Sequence, residues 1–419
     1  MNDLKQHLFE QLDRLWPASH TRGVIAVSGG SDSLALMFLA KDWAMARHRR
    51  LDVVTVDHQL RPESASEAKF VANLAARLNL IHKTMAWEAS CTQGNLMSAA
   101  REGRYALLAQ AAAGAPILLG HTLDDQAETF MMRLARGSGV DGLAGMAERR
   151  QLDTPSGNVD LIRPLLQVTR AQLQAYLTEL GQDWVNDPSN DKSEYDRIKI
   201  RQALPLLAEL GLDAQRLVQT ARAMASSKEA LCLRMQEAAQ HCLLEDMAPD
   251  VMLDPMALSD WDRDTQLRLL GRLIRYVSGA PYAPRRSALE RALEHLHTGR
   301  SYAVGHAILW QNPQALHRHV FICREPAKIC DIFPRNLGEI WDHRWRVTQH
   351  IPQDAQFALL TPKILQSIET KGVWPAPLRQ TRPALIRGED VLWHSFGPRA
   401  DGDILVPVRG SVKEFLSSD

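Results

Sequence analysis

Apolar positions in the first half of the chain switch between two periods. Leu4, Leu8, Leu12 and Leu15 recur at helical spacing, so residues 3–16 read as an amphipathic packing helix. Gly23-Val24-Ile25-Ala26-Val27 is a short run of small and apolar residues, as expected of a strand covered on both faces, and Leu34 to Ala40 reads as a buried helix. The pattern then repeats. Leu51 to Val56 reads as a strand, Pro62 to Leu78 as a helix with Pro62 suited to its first turn, and Ile81 to Met85 as a short strand. Residues 94–112 form an alanine-rich helix, Ile117 to Leu119 a strand, and Thr122 to Ala135 a helix. Strands alternating with helices predict an α/β fold, a parallel sheet covered by helices. Ligands of such sheets bind beyond the carboxyl ends of the strands, so the loops after Val27, Val56 and Leu119 should converge on one site.

The rest of the chain is patterned differently. Residues 137–161 are rich in glycine and polar residues and read as loop, followed by Arg-Pro-Leu-Leu and a helix capped by Thr169. The first domain is expected to span 1–205. Residues 206–300 read as all-α, and the helical domain is placed at 206–325. Tryptophans and short β-like stretches, such as Trp341 to Val347 and Ala384 to Trp393, predict a small β-rich module over 326–419.

Composition narrows the class. The 419 residues are 45% apolar and carry a formal net charge of +0, so charge alone does not announce a nucleic-acid binder. The five cysteines are odd in number and contain no Cys-x-x-Cys, which argues against a disulfide framework, a zinc ribbon or a cysteine-held cluster. No stretch reaches the ~20 apolar residues of a membrane span. A cytoplasmic protein with reduced thiols is expected.

Four motifs carry candidate chemistry. The first is Ser28-Gly29-Gly30-Ser31-Asp32-Ser33, between the first strand and its helix. A loop with two adjacent glycines at a helix start can present backbone N–H groups to an anion. The lysine of a kinase-type P-loop and the third glycine of the dinucleotide fingerprint are both missing. The hexapeptide resembles the PP-loop of the ATP pyrophosphatases, which hold the pyrophosphate of ATP and release AMP. That resemblance places magnesium on Asp32. The second motif is Gly120-His121-Thr122-Leu123-Asp124-Asp125-Gln126-Ala127-Glu128. With Thr122 as N-cap, Asp125 and Glu128 lie one turn apart on one face, where two carboxylates can cage an ammonium group or share a magnesium ion. Acids in a first turn also simply complement the helix dipole, but that accounts for one acid rather than three. The third motif is Asn95 with Arg101 and Arg104, two guanidiniums spaced to clamp a phosphate. The fourth runs from Trp184 to Arg201, with Arg197 and Arg201 four apart on a helix and Lys199 off their line. A basic helix beside an aromatic residue can hold a nucleic-acid strand.

These motifs, with Val56-Asp57-His58-Gln59-Leu60-Arg61 and Arg136-Gly137-Ser138-Gly139-Val140-Asp141-Gly142-Leu143, resemble in order the tRNA(Ile)-lysidine synthase family. The resemblance covers residues 23 to about 205. It implies an adenine nucleotide α-hydrolase-like fold, ATP as co-substrate with Mg2+, and free lysine and the CAU-anticodon tRNA(Ile) as partners. Ser28 to Ser33 would hold the phosphates, with Arg101 and Arg104 offsetting charge at the α-phosphate. Asp57, His58, His121, Asp124, Asp125 and Glu128 would meet lysine or the reacting base, and Arg197 and Arg201 the anticodon strand. Two departures stand out. His121-Thr122 replaces the family's usual His-His, and Lys199 stands where an arginine is common. The rival readings are another PP-loop tRNA-modifying enzyme and a non-catalytic tRNA-binding protein with a relict nucleotide fold. The sequence leaves the oligomeric state open, a homodimer included.

Overall fold

The computed structural model describes residues 2–57, 59, 64–87, 96–154, 157–185, 196–311, 319–330, 332–366, 376–395 and 403–417. The chain divides into two compact units, Met1–Lys228 and Glu229–Asp419.

The first unit opens with α1 (Asn2–Leu15), β1 (Arg22–Ala26), α2 (Ser31–Ala46), β2 (Arg50–Asp57), α3 (Ser64–Arg77) and β3 (Ile81–Ala86). It continues with α4 (Leu96–Ala112), β4 (Ile117–Leu119), α5 (Leu123–Ala135), the short α6 (Val140–Leu143), β5 (Arg149–Thr154), β6 (Gly157–Ile162), α7 (Arg170–Glu179) and α8 (Asp196–Glu209). The sheet order is β3-β2-β1-β4-β6-β5, parallel throughout except at the β5 edge. Leu36, Leu39, Val53, Leu118 and Leu173 belong to the core on one face of the sheet, and Val24, Val54, Leu108 and Ile117 to the core on the other. The expected alternation is therefore present.

The stretch 137–161, expected as loop, contains α6 and most of the antiparallel β5–β6 hairpin. Arg149, Arg150 and Gln151 make β5 polar on both faces, as suits a sheet edge and as hides a strand from hydrophobic periodicity. The basic cluster at residues 47–50 is a solvated face. Arg47 pairs with Asp13 at 2.7 Å, and Arg50 pairs with Asp52 at 3.1 Å.

The boundary between units falls later than Pro205 because α9 (Ala214–Cys242) begins in the first core. Its Leu217, Val218 and Ala221 pack with Leu123, Ala127 and Phe130 of α5. In the second unit α9 is followed by β7 (Leu243–Met247), β8 (Asp250–Leu253), α10 (Pro255–Ser259), α11 (Arg263–Ser278), α12 (Arg286–Thr298), β9 (Tyr302–Val304), β10 (Ala307–Gln311) and β11 (Val320–Arg324). The helical stretch thus includes a hairpin, β7–β8, in an antiparallel sheet of order β7-β8-β11-β10-β9. Beyond it lie β12 (Ile340–Trp341), β13 (Trp345–Val347), β14 (Gln356–Leu359), α13 (Pro362–Gln366), α14 (Ala376–Arg379), β15 (Pro383–Arg387), β16 (Asp390–His394), β17 (Leu405–Pro407) and α15 (Val412–Ser417), in two three-stranded sheets. Helical region and β-rich module share a core, since Val412, Phe415 and Leu416 of α15 join Leu269, Leu273 and Ile322. Among the described residues no helix is long and apolar enough to cross a membrane.

Candidate active site

The site grows from the turn between β1 and α2. Gly29 has φ +94°, a left-handed conformation that side-chain-bearing residues rarely adopt, and its carbonyl accepts from the Val185 N–H at 2.9 Å. Gly30 is the N-cap of α2 and offers no side chain to it. The first N–H groups of a helix have no intrahelical acceptor, so this end is open to an anion. The serines brace the turn instead. The Ser28 N–H donates to Ser33 Oγ at 3.2 Å, Ser33 Oγ donates to the Gly30 carbonyl at 3.0 Å, and Ser31 Oγ donates to Asp32 Oδ1 at 3.0 Å.

The end of β4 presses against this turn. A Cβ on Gly120 would lie 3.1 Å from Asp32 O, Ser33 Cα and Ser33 N. A side chain here would press on the backbone at the start of α2, which would have to give by a few tenths of an ångström. Thr122 is buried and caps α5 through a capping box with Asp125: its Oγ1 accepts from the Asp125 N–H at 3.3 Å, and Asp125 Oδ2 accepts from the Thr122 N–H at 2.8 Å. The threonine in place of the family's second histidine therefore serves the helix end.

Asp125 and Glu128 do share a face of α5, and the fourth motif comes to them. Arg197 Nη2 donates to Asp125 Oδ1 at 2.5 Å, and Arg197 Nε donates to Glu128 Oε2 at 2.5 Å. Arg201 Nε donates to Glu128 Oε1 at 2.7 Å. Glu128 is 1% exposed, a position a carboxylate holds only when paired. Ile198 is buried and Lys199 exposed, so the middle departure in that motif lies off the acid-facing side. Asp32 pairs with Arg170 of α7 at 3.0 Å, and Arg170 reaches Asp125 Oδ1 at 3.4 Å. Burial raises the Asp32 carboxyl above its usual range despite this arginine.

A second group of arginines surrounds Tyr105 and His121. The guanidinium carbons of Arg101 and Arg104 lie 5.7 and 5.9 Å from the Tyr105 ring centre. Arg163 is 4% exposed, donates to the Ala147 carbonyl at 2.8 Å and hydrogen-bonds Tyr105. Among the described residues none of these three has a carboxylate partner. Burial raises the Tyr105 hydroxyl, but Arg101, Arg104 and Arg163 outweigh it and leave it below its ordinary value. Among the described residues the buried His121 Nδ1 has no hydrogen-bond partner. Burial, with Arg163, Arg104, Arg197 and Arg101, draws its pKa from 6.5 down to about 3. The ring is therefore neutral at working pH. Between these two values the unfolded chain binds the proton and the folded chain does not, so acid weakens the fold. Stability should fall about 2 kcal/mol more between pH 6.5 and 5 in the parent protein than in His121→Gln, at ~1.4 kcal/mol per pH unit. Urea unfolding across that range checks this; identical pH dependence would refute it.

Other expected residues are placed less centrally. Asp57 ends β2, and its Oδ1 accepts from the Gln59 N–H at 2.9 Å. Asp124 Oδ2 accepts from the Arg170 N–H at 2.7 Å, which fixes the start of α7. Gln126 pairs with the Met146 backbone through both ends of its amide, at 2.8 and 2.7 Å, and so holds the glycine-rich loop. His58 and Asn95 lie outside the described residues. Arg163, Arg170 and Gly120 were not assigned from the sequence. Reading 157–162 as a strand would have pointed to the first two, since both follow β6 at the carboxyl end of the sheet.

A glycine turn at the carboxyl end of a parallel sheet, beside arginine-paired acids and arginines with no carboxylate partner among the described residues, is the arrangement of a PP-loop ATP-using protein. Residues 4–207 match the family model of the PP-loop domain. The chain belongs to the tRNA(Ile)-lysidine synthase family. It is 41% identical over 361 residues to the tRNA(Ile)-lysidine synthase of Ruegeria pomeroyi, covering 85% of this chain and 83% of that protein. That of Rhodopseudomonas palustris is 41% identical over 67% of this chain and 82% of its own length, and that of Bradyrhizobium diazoefficiens is 43% identical over 60% and 72%.

Proposed function

We propose that this chain joins lysine to the wobble cytidine of the CAU anticodon of tRNA(Ile), using ATP and releasing AMP and pyrophosphate. The observation that carries the reading is the division of the arginines. Arg101, Arg104 and Arg163 have no described acid partner and suit an anion, whereas Arg197 and Arg201 sit on acids that could exchange them for another cation. Phosphates and an ammonium group are the two charges this reaction must bind.

The turn at Ser28 to Ser33 binds the phosphate tail through N–H groups. Magnesium would supply positive charge against the phosphate tail. Asp32 is the acid placed to hold it. Among the described residues no group of three His, Cys, Asp or Glu side chains could hold a metal ion by itself. Arg101 and Arg104 offset charge at the α-phosphate as the cytidine 2-oxo group displaces pyrophosphate. Asp125 and Glu128 then bind the lysine ammonium and take the proton it must lose before the amine attacks C2 and AMP departs. Arg197 and Arg201, when displaced from these acids, meet anticodon phosphates. An anticodon loop presents its wobble base with little unstacking cost.

The test is incubation with a CAU-bearing tRNA(Ile) transcript, ATP, Mg2+ and labelled lysine. Label in the tRNA with stoichiometric pyrophosphate is expected; pyrophosphate release without tRNA, or no label, would overturn the reading. Glu128→Gln should lower lysine incorporation by roughly 10²-fold while tRNA-dependent pyrophosphate release stays within about tenfold, because only the second step uses the acid as proton acceptor. Equal loss in both steps would remove Glu128 from the lysine step.

A further inference from the structure

Every carboxylate oxygen of the Asp125–Glu128 pair is already occupied. Asp125 Oδ2 accepts from Thr122, and Asp125 Oδ1 from Arg197 at 2.5 Å and Arg170 at 3.4 Å. Glu128 Oε1 accepts from Arg201, and Oε2 from Arg197 at 2.5 Å and Arg201 at 3.3 Å. A primary ammonium can enter only where a guanidinium gives way. The longest of these contacts belongs to Arg170, whose shorter bond goes to Asp32 in the nucleotide turn. Its backbone does not follow its side chain. The Arg170 N–H is held by Asp124, the Leu123 N–H donates to the Val168 carbonyl at 2.9 Å, and Thr169 caps α7. The guanidinium thus hangs from a fixed point between the nucleotide turn and the Asp125–Glu128 pair, 25% exposed and shared between Asp32 and Asp125.

We propose that Arg170 is a positioning residue that makes lysine bind after the nucleotide. Asp32, Asp125 and Glu128 meet Arg170, Arg197 and Arg201, so each of these three carboxylates already has a cationic partner. ATP with its metal gives Asp32 another positive partner and brings phosphate oxygens that compete for Arg170. Withdrawal of Arg170 removes one of the two guanidiniums on Asp125 Oδ1, and the lysine ammonium takes its place. The proposal rests on the reading of Asp125 and Glu128 as the amine-binding acids.

The experiment is calorimetric titration of L-lysine into the full chain, with and without Mg2+ and a non-hydrolysable ATP analogue. In the parent protein the analogue should tighten lysine binding by about fivefold or more, the lower end of ordinary coupling between sites. In Arg170→Gln, lysine should bind the nucleotide-free protein about fivefold more tightly than the parent does, and the gain from the analogue should shrink to roughly twofold or less. Arg170→Lys, which keeps the charge, should retain a gain near that of the parent. A merely structural arginine would give the opposite sign, weaker lysine binding on its removal. Equal or weaker binding of lysine by nucleotide-free Arg170→Gln therefore overturns the proposal. Should that variant fail to fold, Asp32→Asn decides. It leaves Arg170 to Asp125 alone and should weaken lysine binding to the nucleotide-free protein about threefold or more; unchanged or tighter binding overturns the proposal. If the parent binds no lysine even with the analogue, the assignment of the acids falls, and the ordering with it.

Discussion

Asp32→Ala is expected to abolish tRNA-dependent pyrophosphate release, a loss of at least ~10³-fold, while the protein stays folded. The two halves of this expectation come from one feature of the site. Asp32 stands at the first turn of α2, where under the proposed reading its carboxylate would hold a metal on phosphates bound at the turn before it. Its carboxyl is raised above the usual range because burial outweighs Arg170. For an acid with a raised folded pKa, the folded state binds the proton more tightly than the unfolded chain, so stability falls as pH rises through that window. At neutral pH the ionised group is therefore held at a cost, and its removal relieves that cost. Arg170 keeps Asp125 as a partner in the variant. The melting temperature should move by no more than about 3 °C. Pyrophosphate release and thermal melting measured side by side check this. Retained release would take Asp32 out of the chemistry, and a collapsed fold would make it a scaffold residue.

Gly120→Val should damage both fold and activity. A Cβ at this position would meet three backbone atoms of Asp32 and Ser33 at 3.1 Å, and backbone cannot rotate away as a side-chain end can. Valine adds two methyl groups beyond that Cβ. The cost should fall near the upper end of the overpacking range, about 3 kcal/mol. The start of α2 must retreat from β4, and misplacement of reacting groups by a fraction of an ångström costs on the order of 10²-fold in rate. Urea midpoints and pyrophosphate release give the two readings. An unchanged midpoint would mean that the β4 loop yields and that the close approach is not required.

Much of the fold follows from local pattern. The strand–helix alternation, the glycine turn, the Thr122 and Thr169 caps and the one-turn spacing of Asp125 and Glu128 are all read from neighbouring residues, because periodicity records which face is buried and caps record where helix hydrogen bonding begins. The polar β5 edge left no such record, and with it went the signal that β6 ends at the same site.

The amino-acid sequence by itself determined the class of protein, the place of the glycine turn between β1 and α2 and the presence of two acids on one helix face. Tertiary structure alone decided what those acids touch. Arg197 lies 69 residues from Glu128 along the chain, and Arg170 lies 138 from Asp32, yet each pair closes to 3.0 Å or less. A charged residue in a helical pattern reads as a solvated face whether or not a partner waits across the fold. Its pairing depends on how the carboxyl ends of strands β1, β4 and β6 are brought side by side, and no local periodicity encodes that.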